Sequence, residues 1–229
     1  VGGSTATLNI GGTVTLTAGT LDAGTATTIN MNGGDWVNNG GTFTPGSGVV
    51  NFTNTSADQN IMGSAASQTF YDVTVNKVGR TLNVAGSTNT LVLNDDLLLT
   101  AGTFAAGTAT AINIAGDWTN NGATFTPGSG TVNFNSTGSS QQINGTAVSQ
   151  TFNNVSVTKT AQTLSVGGST TTLNANGTIT LTSGIFSAGT AASINVGGNW
   201  TNNGATFTYG TSTVTFNSIT AAQNINGTA

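Results

Sequence analysis

Histidine, cysteine and glutamate are absent from the 229 residues, and only 4% of the chain is charged. Each absence excludes a chemistry. With no His, Cys or Glu, a Ser or Thr nucleophile has no ordinary base and no thiolate exists, so nucleophilic catalysis lacks its machinery. Disulfides and thiolate zinc sites go with the cysteines. Lys77, Arg80 and Lys159 are the only bases, too few to neutralise the phosphates that hold nucleic acid. A net charge of −4 is too mild to call for a polycationic or polyanionic partner. No run of about 18 apolar residues occurs, so no transmembrane helix and no membrane insertion are expected. The stretch opens without a charged-then-apolar leader, which places any signal peptide outside it.

The seven acids are all Asp and are scattered. Asp95–Asp96 is the one adjacent pair, and its counterparts one copy later are the neutral Gly177 and Thr178. Calcium takes six or more oxygens and a glycosidase needs two carboxylates at a set separation. A pair present in one copy reads as surface variation. The chain is therefore expected to hold no catalytic residue, no metal and no cofactor, and not to be an enzyme.

What is present is Thr, Val, Ile, Asn and 33 Gly, with only 2 Pro. β-Branched residues favour strands, Gly and Asn favour the turns between them, and strong helix formers are scarce. The composition predicts a folded all-β protein.

The chain also repeats itself. "GDWVNNGGTFTPGSG" from Gly34 returns as "GDWTNNGATFTPGSG" from Gly116 and "GNWTNNGATFTYGTS" from Gly198. Trp36, Trp118 and Trp200 thus recur with a constant period of 82. Residues 116–147 and 198–229 are identical at 22 of 32 positions. The organisation is a first copy at 1–83, a second at 84–165 and an incomplete third at 166–229, read as one continuous solenoid cut from a longer array.

Within a copy, short alternating triplets recur: "INI" at 112–114, "VNF" at 132–134, "VSV" at 155–157, "ITL" at 179–181 and "INV" at 194–196. Alternation marks strands with one buried face. Their steps of 20, 23, 24 and 15 predict a right-handed parallel β-helix, a β-solenoid with about four coils per copy, each coil burying its apolar face on the next. The last of these steps is short for a coil. Ile112, Ile114, Val132, Phe134, Val155, Val157, Ile179, Leu181, Ile194 and Val196 are expected to point inward. A string of immunoglobulin-like sandwiches of the same length is the alternative. Stacking also explains the missing charge. Equivalent residues would lie about 4.8 Å apart, where like charges repel by about 1 kcal/mol even in water. Neutral Asn, Thr and Ser form ladders instead.

Two surface readings remain. Trp36, Trp118 and Trp200, with Asn120 and Asn202, are candidate glycan contacts, an indole to stack on a sugar and an amide for its hydroxyls; the competing role is a Trp filling a coil corner. Lys77 and Lys159, also one period apart, are expected to be exposed and solubilising. Sequons at Asn51, Asn135, Asn144 and Asn199 show only that glycosylation is chemically available.

The phrases "GDWTNNGATFTPGSGTVNFN", "TLTAGTL" and "TITLTSGIF" resemble the Thr/Asn/Gly-rich repeats of large secreted bacterial surface proteins, the β-helical adhesins akin to filamentous haemagglutinin and autotransporter passengers. The resemblance covers the whole chain in composition and repeat style. It implies an extracellular or cell-surface location and a role as stalk, fibre or coat, with partners being further copies joined end to end or side by side. A carbohydrate-binding adhesin module, with surface glycans as partners, is the second function it allows.

Overall fold

The computed structural model describes residues 1–228. They form strands and turns only, with no helix among them. Most strands are three or four residues long and alternate inward apolar with outward polar side chains. All strand pairs are parallel. Parallel neighbours cannot be joined by a tight hairpin. Here the chain makes a full turn between them, over distances such as 20 residues from Asn113 to Asn133 and 25 residues from Thr119 to Asn144.

The pairings sort the strands onto three faces of a β-solenoid of about ten turns. On face A the register runs Leu8, Ile29, Val50, Val73, Leu97, Trp118, Ile143, Val166. Face B opens with Val14, Trp36, Ile61 and Val84. Face C runs Leu91, Ile112, Val132, Val155, Ile179, Trp200, Ile225. Four long strands, Asp72–Val84, Leu97–Ala105, Asn154–Val166 and Ile179–Ser187, bend round a corner and serve two faces each. At about 4.8 Å per turn the rod is about 48 Å long.

One apolar core runs through all the turns. All ten residues expected to point inward are at most 3% exposed. Each buried aliphatic or aromatic side chain contributes about 1.5–3 kcal/mol of burial energy, and the uncharged outer rows keep the turns from repelling one another. On face A, Asn51 Nδ2 donates to Asn30 Oδ1 at 2.9 Å and Asn30 Nδ2 to Asn9 Oδ1 at 2.7 Å. Close stacking also selects glycine. At Gly107 and Gly189 φ is +54° and +55°, and a Cβ would run into the carbonyl oxygens of Val84 and Val166.

The tryptophans lie on three different faces: Trp36 on B, Trp118 on A and Trp200 on C. One period therefore spans eleven strand segments, each bent strand counting as two. That is three and two-thirds turns rather than the four coils expected. The short step explains the difference. Ile179 stands in the face C ladder and Ile194 in a ladder with Leu173 and Val214 on face B. The move from Ile179 to Ile194 is therefore two-thirds of a turn, not a coil.

The ladders part at one place in each of the first two copies. Thr42–Thr44 pairs with Thr20–Asp22 and Ser67–Phe70 with Thr90–Leu93, but no ladder joins Thr42–Thr44 to Ser67–Phe70. The same parting falls between Thr124–Thr126 and Ser149–Phe152, on face B.

Candidate functional site

The recurring residues face inward. Trp36 and Trp118 are 1% and 0% exposed, and Trp200 is 7%. Trp118 meets Phe125 and Phe152 edge-on at centroid distances of 4.7 and 4.8 Å, and its Nε1 donates to Gln150 Oε1 at 3.3 Å. Trp36 packs the same way on Phe43, and Trp200 packs tilted on Phe207 at 4.8 Å. Asn120, buried, donates from Nδ2 to the Ala123 carbonyl and accepts from the Gly122 N–H, both at 3.0 Å. Asn202 makes the matching bonds to Ala205 and Gly204. The structure thus brings each Trp and its Asn to one corner, but the Asn closes the turn and the ring fills the core. A sugar stacks on an exposed ring face; Trp36 and Trp118 offer none, while Trp200 lines an apolar opening with Phe207, Val214, Phe216 and Ile225.

The lysines are not exposed, contrary to expectation. Lys77 and Lys159 are both 0% exposed. Lys77 Nζ donates to the carbonyls of Asn54 and Ala57 at 2.7 and 3.0 Å and to Gln59 Oε1 at 2.9 Å. Lys159 Nζ repeats this with Ser136, Ser139 and Gln141 Oε1 at 3.1, 3.2 and 2.6 Å. An ammonium has three protons, and each finds one acceptor. Burial pushes both lysines down to about 8 from the usual 10.5. The lysine threads beneath the long loop of the preceding turn and pins its carbonyls from inside.

The glutamines in these cradles escaped sequence reasoning. Gln59 is 0% exposed. Its Nε2 donates to the Met31 and Gly34 carbonyls at 3.1 and 2.7 Å, one turn back, while its Oε1 takes the Lys77 ammonium from one turn ahead. Three turns are tied by one amide. Gln141 and Gln223 repeat the backward bonds. The signal was present in the sequence, because Gln59, Gln141 and Gln223 recur with the same period as the tryptophans.

Three of the seven acids gather at one corner, where the first copy meets the second. Carboxylate oxygens of Asp72, Asp95 and Asp96 lie within 4.8 Å of one another. Asp72 Oδ1 accepts from the Asp96 N–H at 2.8 Å and Asp96 Oδ1 from the Asp117 N–H at 2.6 Å. Burial raises Asp72 from 3.8 to about 6; the Asp96 N–H opposes this, and the charges of Asp95 and Asp96 add to it. One copy on, Asn154 fills the same role, accepting from the Thr178 N–H at 2.8 Å.

The raised Asp72 value fixes a pH effect. The folded chain holds the proton where the unfolded chain has lost it, so this group's stabilisation is full below pH 3.8 and is lost as pH rises through about 6. Asp72→Asn is expected to raise the thermal midpoint at pH 7 and to leave it unchanged at pH 3. Melts of both proteins across that range check it; an Asn variant less stable at pH 7 would show that the carboxylate is favourably placed.

No helix among the described residues is long and apolar enough to cross a membrane. No family model, no curated protein and no solved structure matches the chain.

Proposed function

We propose that the chain is a structural segment of an extracellular filament, stalk or surface coat, a rod whose work is mechanical and which catalyses no reaction. One observation carries this reading: what the sequence repeats is inside. Trp36, Trp118, Gln59, Gln141, Lys77 and Lys159 are all buried, so the repeated phrases encode stacking of one turn on the next. The resemblance to secreted bacterial adhesin repeats supports a cell-surface location. The rod winds right-handed, as strand–crossover–parallel-strand connections do. Further copies join it end to end or side by side, since unpaired strand edges recruit partners and the near-neutral sides do not repel.

The repeat geometry gives a distinctive test. In an array, each copy advances three and two-thirds turns and is set two faces round the axis. Fibre diffraction from oriented material should show a meridional reflection near 4.8 Å and a layer line near about 18 Å, with the true repeat after three copies at about 53 Å. Beads spaced some 35–40 Å apart, about the length of a sandwich domain, would overturn the reading.

A further inference from the structure

Where turns 2 and 3 part on face C, the opening is a cleft of about 180 Å³ lined by Asn38, Gly41, Thr42, Phe43, Ser67 and Gln68, among others. No lining residue is charged. In the second copy the corresponding polar atoms have partners: Asn120 Nδ2 donates to Ala123 O, and Gln150 Oε1 accepts from Trp118 Nε1. In the first copy they do not. Asn38 is 7% exposed, and only its Oδ1 is engaged, by the Gly40 N–H at 2.9 Å. Gln68 is 1% exposed; its Nε2 donates to Met62 O at 3.1 Å and to Thr88 Oγ1 at 3.3 Å, leaving Oε1 free. Among the described residues no fully enclosed side-chain nitrogen or oxygen lacks a partner. Asn38 Nδ2 and Gln68 Oε1 must therefore reach solvent, and the cleft that both residues line is where they do.

One sequence difference falls in the lining. Gly41 stands where the later copies have Ala123 and Ala205. A Cβ at Gly41 would come within 2.9 Å of Leu16 Cβ, so an alanine shifts this corner.

We infer that this cleft is a binding site for a small neutral polyol, a molecule of monosaccharide size with adjacent hydroxyls. A hydroxyl pair answers the free donor of Asn38 and the free acceptor of Gln68 together. The half-buried ring of Phe43 offers an apolar wall for the C–H face of a sugar ring, and the absence of lining charge selects against ionic ligands. The site does not depend on the rod being a filament; it is built from residues of the first copy.

Saturation-transfer NMR on the full chain with D-glucose, D-mannose and D-galactose tests it. Transfer to the ring protons of at least one sugar is expected. Binding should weaken by about tenfold or more, as when paired polar groups lose their partners, both in Gly41→Ala and in Ser67→Leu, which blocks the rim from an exposed position. Thermal melts report whether each variant stays folded, and the Ser67 variant serves if the Gly41 variant does not. No transfer with any of the three sugars, or transfer unchanged in a folded rim variant, would leave the cleft to water and overturn the inference.

Discussion

Trp118→Ala is expected to lower stability by about 3–5 kcal/mol, the usual cost of deleting a fully buried large aromatic. The site has little freedom to collapse. Trp118 sits in a ladder between Leu97 and Ile143, so the backbone around it is held at the spacing of stacked strands on both sides. Phe125 and Phe152 each lose an edge-on contact, worth about 0.5–1.5 kcal/mol beyond burial, and Gln150 Oε1 loses its indole donor. The position adds a second consequence. Stability in a solenoid is close to a sum of nearest-neighbour terms, and Trp118 lies in the middle turns. Urea unfolding should therefore shift to lower denaturant and broaden or split as the two ends uncouple. Trp200→Ala, at a ring already 7% exposed, should cost less. Equal and small losses at both positions would mean that the rings are not core.

Lys159→Met is expected to cost about 2–4 kcal/mol at pH 7, since unpaired buried acceptors cost about 1–3 kcal/mol each and burial of the Met chain returns part of that. The carbonyls of Ser136 and Ser139 and Gln141 Oε1 all lose the ammonium proton they accept. Hydrogen exchange should rise in the 136–140 loop before it rises in the ladders. The pH dependence separates the charge from the packing. With the folded value at about 8 and the usual value at 10.5, the unfolded chain binds more protons between them. The group's stabilisation is thus full above pH 10.5 and is lost as pH falls through about 8. Wild type should gain stability as pH climbs through that window. Lys159→Met should lose about half of this gain, because Lys77 keeps its own share. A variant as stable as wild type, with the loop still protected, would show that the ammonium holds nothing.

The inward residues were legible because alternation is a local signal: "INI", "VNF" and "VSV" each say which side of a strand is buried. Which face of the rod a strand occupies is not local. It depends on register between strands a full turn apart in the chain, so the short step from Ile179 to Ile194 was visible but its meaning, a move from face C to face B, was not. The lysines were misread for a related reason. A charged side chain is exposed unless something answers it, and here the answer comes mostly from backbone carbonyls of a loop, which no side-chain pattern spells out. The glutamine that completes each cradle could have been noticed, because a polar residue kept at the repeat spacing beside strands is a candidate for the interior. The Gly41 cleft was legible only as a single departure, Gly where the other copies have Ala.

A repeat made of a whole number of strands but not of turns has a consequence for how such a chain changes length. Gain or loss of a copy by recombination leaves every strand on some ladder and merely rotates all later copies by two faces. Each position of the unit is thereby tried against all three sides of the rod, and none can specialise for one side through changes shared by every copy. Local novelty must come from a substitution in a single copy. Gly41 is such a substitution, and it lines the cleft on face C.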